Sequence, residues 1–312
     1  MLGSLIGLMA AMSFAPPAIP GSAPATIFSQ SLPVQAAMVS PRRLTVVRTP
    51  RRKDPDNLGV VVTGNSAFVA DVASGGVLFA KAPHDVHSIA SLTKLMTALV
   101  LLDTDKGLDG ELTFQASDFD NQSKPVFAVG DTVTRREAFT ALLVGSVNAS
   151  GEALVRTSGL SREQFILRMN QKAKDLHLPS FTFVDVTGLE TGNRGNAADV
   201  AALTTIALRQ DEIRKAANLP EVVVTPRGGK PLGIKSTNLL LDSFLYKNPY
   251  KIIGAKTGSL PDAGYNLAQV TRDAKGHEVV AVLLDSDNHF SRYRDVKIMT
   301  AWAFDSFEWL NQ

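Results

Sequence analysis

The 312-residue chain contains no cysteine and almost no excess of one charge. The absence of cysteine excludes thiol nucleophiles, disulfides, cysteine-bound zinc and iron–sulfur clusters. Lysine and arginine number 32 against 30 acidic residues, so the formal charge is only +2 and no strong basic field favours nucleic acid as a partner. Hydrophobic residues make up 45% of the chain, which is typical of a folded protein and excludes a disordered or collagen-like one.

Charged side chains are also absent from the first 41 residues. The apolar run over residues 2–15 is too short for a good membrane span, and Val34-Gln35-Ala36 forms an A-x-A-like cleavage site. We therefore predict a signal peptide over residues 1–36, although no lysine or arginine precedes the apolar run. The alternative is a tail that is simply apolar or disordered.

A basic segment separates this leader from the rest of the chain. Six of the twelve residues from Arg42 to Lys53 are basic. Such a segment is typical of a solvated linker, here residues 37–58, and the alternative is a loose contact with anionic envelope polymers. Beyond it the composition is uniform, which predicts one large domain over residues 59–312.

Hydrophobic periodicity predicts strands near both ends of this domain and helices in its middle. Two apolar runs at 66–71 and 76–81 flank a turn and predict a hairpin, and three helices begin at the capping residues Thr134, Ser161 and Asn196. This order predicts an α+β fold, with an antiparallel sheet covered by helices and a mostly helical subdomain. Further helices are predicted over 91–103 and 290–309, and further strands over 222–224, 252–257, 265–271 and 279–284.

Ser91-Leu-Thr-Lys94 is the only S-x-x-K sequence in the chain. Residues three apart on a helix share one face, so the lysine amine can reach the serine hydroxyl. A serine needs an adjacent base to become a good nucleophile, and burial lowers the pKa of a lysine toward the range of such a base. The alternative is a helix with a serine cap, but the apolar helix that follows would bury both groups.

Lys256-Thr257-Gly258 closes an apolar run that predicts a strand. A lysine, a hydroxyl and a glycine that lets a substrate backbone approach would form a rim able to bind a carboxylate. An exposed lysine at the end of a strand is the alternative, and the tripeptide taken alone favours it.

Three S-x-N sequences could supply a further serine and asparagine. Ser286-Asp-Asn288 follows the Lys256 strand and stands past a strand end, which argues against it. Ser146-Val-Asn148 stands between two predicted helices and between the other two motifs in chain order. Its position therefore favours it over Ser236-Thr-Asn238.

Taken in order, these three motifs resemble the active-site set of penicillin-binding proteins and class A β-lactamases. Longer stretches at 89–98, 183–189 and 263–267 are similar to the low-molecular-mass penicillin-binding proteins that are D-alanyl-D-alanine carboxypeptidases and endopeptidases, a family of serine peptidases. The resemblance covers about residues 60–310. It implies a β-lactamase/transpeptidase-like fold, a DD-peptidase activity through a Ser91 acyl-enzyme, and neither cofactor nor metal. Val147 stands where many relatives have glycine.

The resemblance also implies a role for each residue that takes part in acylation. Ser91 would be the nucleophile that is acylated by the penultimate D-Ala carbonyl, and Lys94 would be its general base. Ser146 would relay a proton toward the leaving amine. Asn148 would hold the substrate amide and orient Lys94.

Substrate binding is implied for a second group of residues. Lys256 would keep the pocket positive, and Thr257 would bond the substrate carboxylate, with Arg292 as a further carboxylate-binding residue. The backbone N–H of Ser259, together with that of the nucleophile, would form the oxyanion hole. Gly258 would let the substrate approach.

Other classes of protein fit the sequence less well. A class A β-lactamase carries a Glu-x-x-Leu-Asn sequence whose glutamate deacylates the enzyme through a water, and this chain lacks it. A Ser-His-Asp hydrolase of the α/β type needs a G-x-S-x-G elbow, which is also missing. His84 and His87 lack the surrounding pattern of a zinc site. A non-catalytic peptidoglycan-binding protein would not need all three motifs.

The resemblance implies peptidoglycan stem peptides as substrates and β-lactam antibiotics as covalent inhibitors. No stable membrane anchor is expected after signal cleavage, because nothing after Trp309 could supply one. We therefore expect a protein secreted to the periplasm or cell envelope. The sequence leaves open whether it trims pentapeptides as a carboxypeptidase or cleaves cross-links as an endopeptidase.

Overall fold

The computed structural model describes residues 48–120 and 125–310. The predicted signal peptide, residues 1–36, and the first part of the predicted linker, residues 37–47, lie outside the described residues. The helices are α1 (Thr93–Leu102), α2 (Arg135–Val144), α3 (Asn148–Arg156), α4 (Arg162–Asp175), α5 (Ala197–Leu208), α6 (Asp211–Ala217) and α7 (Ser291–Ser306). The strands are β1 (Arg51–Arg52), β2 (Ser66–Asp71), β3 (Val77–Lys81), β4 (His87–Ser88), β5 (Glu111–Thr113), β6 (Thr132–Thr134), β7 (Arg194–Gly195), β8 (Glu221–Val224), β9 (Leu232–Lys235), β10 (Lys251–Leu260), β11 (Gly264–Arg272), β12 (Glu278–Ser286) and β13 (Phe307–Glu308).

A five-stranded antiparallel sheet forms the centre of the fold, in the order β10-β11-β12-β2-β3. The hairpin β2–β3 comes from the start of the domain, and the three long strands β10, β11 and β12 come from its end. The two parts join because β2 pairs with β12, with Asp71 opposite Val279 and Ser66 opposite Leu284. This topology confirms the predicted sheet built from both ends of the domain. It leaves β10, the strand that carries Lys256, at one edge.

Helices cover both faces of this sheet. Val280 and Val282 of β12 enter the core that includes α1, α2 and α5, whereas Ala281 and Leu283 enter a separate core with α7. Successive side chains of a strand point to opposite faces, so one continuous apolar run can supply both cores. The helical middle of the chain thus packs on one face and the last helix on the other, as the predicted α+β fold requires.

The predicted helix starts are confirmed by their caps. Thr134 Oγ1 accepts a hydrogen bond from the Glu137 N–H at 3.1 Å, and Glu137 Oε2 accepts one from the Thr134 N–H at 2.8 Å. Ser161 and Gln164 form the same reciprocal pair at α4, and the Asn196 side chain caps α5. A side chain that bonds a free N–H group of the first turn stabilises the helix start locally.

The end of the domain differs from the sequence prediction. The last helix stops at Ser306 instead of continuing to Trp309, because Phe307–Glu308 turn extended and pair with Arg51–Arg52. These two arginines belong to the predicted linker, and their backbone is bonded to the domain rather than solvated. None of the helices in the described ranges has both the length and the apolar character that a membrane span needs.

Candidate active site

Ser91 lies in a 3₁₀ turn, Ala90–Leu92, that leads directly into α1. Ala90 has a left-handed backbone conformation with a φ of 47°, which is uncommon for a residue with a side chain and concentrates at functional sites. Two glycines let other segments pack closely against this turn. A Cβ on Gly188 would lie 2.0 Å from the Ala90 carbonyl oxygen, and one on Gly258 would lie 3.1 Å from the Ser91 nitrogen.

Lys94 is fully buried and has three oxygen neighbours. Its Nζ lies 2.8 Å from Ser91 Oγ, 2.7 Å from Asn148 Oδ1 and 2.5 Å from the Thr187 carbonyl oxygen. The last two oxygens can only accept hydrogen bonds, whereas a serine hydroxyl can also donate one. A neutral amine would give its two N–H groups to these acceptors and turn its lone pair toward the Ser91 hydroxyl.

Burial lowers the pKa of Lys94 from 10.5 to about 7, against the opposing effect of the negative charges of Asp185, Asp120 and Glu152. A buried ammonium loses the hydration that stabilises its charge, so the neutral form gains relative to the charged one. This shift brings the neutral form of Lys94, the form in which an amine can accept a proton, into the neutral pH range.

The carbonyl oxygen of Thr187 is held in place by Asp185, for which the sequence predicted no role. Asp185 Oδ1 accepts hydrogen bonds from the N–H groups of Thr187 at 2.6 Å and Gly188 at 2.5 Å, and its Oδ2 accepts one from Glu190 at 2.5 Å. This buried carboxylate shapes the loop that carries one acceptor of the amine. The sequence did point to this region, because the stretch at 183–189 supported the family resemblance. No chemical role was assigned to its residues.

Ser146 and Asn148 lie at the junction of α2 and α3, in agreement with their predicted position between two helices. Ser146 has a left-handed φ of 58°, and its Oγ accepts a hydrogen bond from Lys256 Nζ at 2.8 Å. Asn148 is buried, with Oδ1 toward Lys94 and Nδ2 donating to Asp120 Oδ2 at 3.1 Å. Asp120, which the sequence analysis did not single out, thus helps to orient the amide.

Lys256 lies in the middle of β10 rather than at a strand end, and it is buried rather than exposed. Its Nζ also donates to the Thr257 carbonyl oxygen at 2.9 Å. Burial first, and then the charges of Lys94 and Arg292, lower the pKa of Lys256 well below its usual value. Arginine keeps its proton under such conditions far better than lysine does. Arg292 therefore contributes positive charge to the site beside Lys256.

A cleft of about 280 Å³ opens beside Ser91. Arg292 of α7 is buried in its wall, where the guanidinium donates to the Gly258 carbonyl oxygen at 3.1 Å and to the Tyr293 hydroxyl at 2.7 Å. The predicted site residues divide into two groups around this cleft. Its lining includes Ser91, Ser146, Thr257, Gly258, Ser259 and Arg292. The others, Lys94, Asn148 and Lys256, are buried and bonded to members of this set or to one another.

The two histidines noted in the sequence stand apart from this cleft. His87 belongs to β4, and its Nδ1 lies 3.6 Å from Asp285 Oδ2. Among residues 48–120 and 125–310, no group of three or more histidine, aspartate or glutamate side chains is arranged to hold a metal ion.

The fold and the site together define a class of protein. A serine at the start of a helix abuts a buried lysine of lowered pKa, and an arginine keeps the adjacent cleft positive. A serine with an adjacent base, near backbone N–H groups that can stabilise an oxyanion, is the apparatus of acyl transfer. The class is therefore a serine enzyme that works through an acyl intermediate.

Residues 52–288 match the family described as D-alanyl-D-alanine carboxypeptidase, and the chain belongs to that family. It is 31% identical over 231 residues to a D-alanyl-D-alanine endopeptidase of Haemophilus influenzae, covering 73% of this chain and 77% of that one. It is 28% identical over 250 residues to the D-alanyl-D-alanine carboxypeptidase DacF of Bacillus subtilis, covering 78% of this chain and 62% of that one. Its structure is similar to that of the DD-transpeptidase of Streptomyces K15, with a TM-score of 0.73, 25% identity, and coverage of 79% and 99%.

These similarities confirm the predicted family and the β-lactamase/transpeptidase-like fold. The protein is accordingly a serine DD-peptidase, a hydrolase of the D-alanyl-D-alanine carboxypeptidase and endopeptidase family. The similarities to these proteins favour a peptidase over a class A β-lactamase, the alternative that the three motifs left open.

Proposed function

We propose that Ser91 is the nucleophile of this DD-peptidase and that Lys94 is its general base. The substrates are D-Ala-D-Ala stems or DD-cross-links of peptidoglycan. The observation that carries the proposal is the 2.8 Å contact between Lys94 Nζ and Ser91 Oγ, made by a buried amine whose pKa is about 7. The two other neighbours of the amine accept hydrogen bonds only, which supports a lone pair directed at the serine.

In acylation, Lys94 takes the proton of the Ser91 hydroxyl while Oγ attacks the carbonyl carbon of the penultimate D-Ala. The carbonyl oxygen becomes an oxyanion, which the backbone N–H groups of Ser91 and Ser259 stabilise. Gly258 supports this arrangement, because any Cβ there would press on the Ser91 nitrogen and separate the two donors. One such donor contributes about 10²–10³-fold to the rate.

The bond to the leaving amine then breaks, and the amine must gain the proton that Lys94 has taken up. Ser146 is the proposed relay, since it lines the same cleft as Ser91. Lys256 donates to Ser146 Oγ at 2.8 Å, so the hydroxyl proton of Ser146 points away from Lys256 and is free to reach the amine. In the second step Lys94 takes a proton from water while the water oxygen attacks the acyl carbon, and this proton passes to Ser91 Oγ when the ester bond breaks.

The exact reaction and the location are finer parts of the proposal. The relatives include an endopeptidase and a carboxypeptidase, so both cross-link cleavage and pentapeptide trimming are candidate reactions. Peptidoglycan lies outside the cytoplasmic membrane. Secretion to the periplasm or cell envelope through a signal peptide over residues 1–36 is therefore part of the proposal, as is covalent inhibition by β-lactams.

The test uses purified protein with a monomeric pentapeptide and with a dimeric cross-linked muropeptide. We expect the wild type to release D-Ala from the first or to split the second, and the faster substrate identifies the reaction. Ser91→Ala should do neither, whereas Ser236→Ala, which alters the serine of another S-x-N sequence, should keep the activity. An active Ser91→Ala variant would contradict the proposal.

A further inference from the structure

We propose that Thr237 is a specificity-determining residue whose hydroxyl, polarised by Thr257, binds the free carboxylate of the substrate's leaving residue. This inference rests on the proposed function of the cleft beside Ser91. Thr237 is the middle residue of Ser236-Thr-Asn238, an S-x-N sequence that was set aside because of its place in the chain order. Its middle residue nevertheless reaches the cleft.

The two threonine hydroxyls form a pair at the wall of the cleft. Thr257 Oγ1 donates to Thr237 Oγ1 at 2.6 Å, and both residues line the cleft with Arg292. Two hydroxyls carry two protons but place only one between their oxygens, so the other O–H group must point elsewhere. In this pair it is the O–H of Thr237.

A carboxylate fits this remaining donor. It can only accept hydrogen bonds, and a bond from a neutral hydroxyl to a charged acceptor is stronger than a neutral pair. The bond from Thr257 polarises the Thr237 hydroxyl and makes it a better donor. The charge of Arg292 draws the anion to the same wall of the cleft.

Arg292 also makes hydrogen bonds inside the protein. Both terminal nitrogens of its guanidinium donate, one to Gly258 and one to the Tyr293 hydroxyl. The Tyr293 hydroxyl in turn donates to the Thr237 carbonyl oxygen at 2.7 Å. Arg292 therefore supplies charge and, through Tyr293, positions Thr237, whose hydroxyl supplies a direct contact to the carboxylate.

Hydrogen bonds on two sides hold Thr237 in position relative to Ser146 and the sheet. Its backbone N–H donates to the Val144 carbonyl oxygen at 3.1 Å, at the end of α2 and two residues before Ser146. The adjacent Asn238 donates from Nδ2 to Gln269 Oε1 of β11 at 3.1 Å. Such anchoring on two sides is what a binding group needs if it is to discriminate between substrates.

The test compares two acyl-D-Ala thioesters that differ only in whether the leaving thiol carries a carboxylate. Thr237→Val removes the hydroxyl at nearly constant shape, and Thr237→Ser keeps it. We expect Thr237→Val to lower kcat/KM about 10- to 100-fold for the charged thioester, mainly through KM, because one bond to a charged group is lost. With the neutral thioester, Thr237→Val should stay within about threefold of the wild type. Thr237→Ser should do so with both thioesters.

Equal losses on both thioesters would show a merely structural role and overturn the inference, as would no loss on either. Thr237→Ala provides the same comparison if the valine variant does not fold. Thr113→Val is the matched control, because Thr113 shares an exposed hydroxyl pair with Thr132 at 2.8 Å, and it should discriminate between the thioesters as the wild type does. Turnover of the thioesters that survives in Ser91→Ala would instead count against the proposed function, so the two failures are distinguishable.

Discussion

In the proposed mechanism Ser91 and Lys94 form one chemical unit, because the proton that leaves the serine oxygen would enter the amine 2.8 Å away. We expect Ser91→Ala to eliminate covalent labelling by a fluorescent penicillin and Lys94→Ala to slow it by about 10²–10⁴-fold. Residues that act as a unit are not additive, so the double variant should be no worse than Ser91→Ala. Lys174→Ala removes an exposed lysine of α4 and should label at the wild-type rate.

The pH dependence of acylation should report the protonation of Lys94. The lysine must be neutral to accept a proton, so the acylation rate should fall as the pH drops through about 7. The charge of Asp120 raises the Lys94 pKa, and Asp120→Asn should therefore move this fall to lower pH. Asparagine can still accept the hydrogen bond from Asn148, which separates the effect of charge from that of orientation.

The matched control for this pH profile is Asp109→Asn. Asp109 is exposed and is not among the charges that act on Lys94, so its profile should coincide with that of the wild type. The rates are measured with one β-lactam across pH 5–9. An unchanged rate between pH 8 and pH 5 would count against Lys94 as the base.

At the scale of elements, the edge strand β10 must approach the turn that carries Ser91. A Cβ on Gly258 would lie 2.7 Å from the Ile89 carbonyl oxygen and 3.1 Å from the Ser91 nitrogen, both backbone atoms that cannot yield easily. Gly258→Ala should push β10 outward and weaken one oxyanion donor. We expect acylation to slow by about 10²-fold or more.

A glycine in another strand provides the control for this substitution. A Cβ on Gly233 of β9 would meet only the flexible end of the Glu221 side chain, at 3.0 Å. Gly233→Ala should therefore acylate as the wild type does, and a thermal melt of each variant checks that it is folded at the assay temperature. Fast acylation by Gly258→Ala would show that the close approach of β10 is not needed for the reaction.

The elements also differ in how far local sequence predicts them. The start of α2 follows from Thr134 and Glu137, which bond each other within a few residues and need no distant partner. The end of α7 does not, because Phe307–Glu308 leave the helix to pair with Arg51–Arg52, which are remote in sequence. A partner so distant in the chain has no signature in a local hydrophobic pattern.

At the scale of the whole molecule, the site should distinguish its own substrates from β-lactams by the fate of the leaving group. A peptide's leaving amine diffuses away, whereas that of a β-lactam stays tethered and hinders the approach of water. The chain also lacks the Glu-x-x-Leu-Asn sequence that activates a deacylating water in class A β-lactamases. Since such general-base help contributes about 10²–10⁴-fold, deacylation should be far slower than acylation.

We therefore expect a long-lived penicillin adduct on this protein. Mass spectrometry after a stoichiometric dose should show the added mass of the antibiotic for hours in the wild type. The Ser91→Ala variant should show none at any time. Rapid hydrolysis of many equivalents with no persistent adduct would instead favour the β-lactamase alternative.

The sequence by itself determined the chemistry at short range. Ser91 and Lys94 are three residues apart at the start of a helix, so their spacing already implied a shared face. Ser146 and Asn148 were placed together at a junction between two predicted helices by chain order and context. Only the tertiary structure decided which partners complete them. The Thr187 carbonyl oxygen beside Lys94 and the threonine pair in the cleft are contacts between distant segments. Burial lowers the pKa of Lys94, and this loss of water depends on everything packed around the amine rather than on its neighbours in the chain.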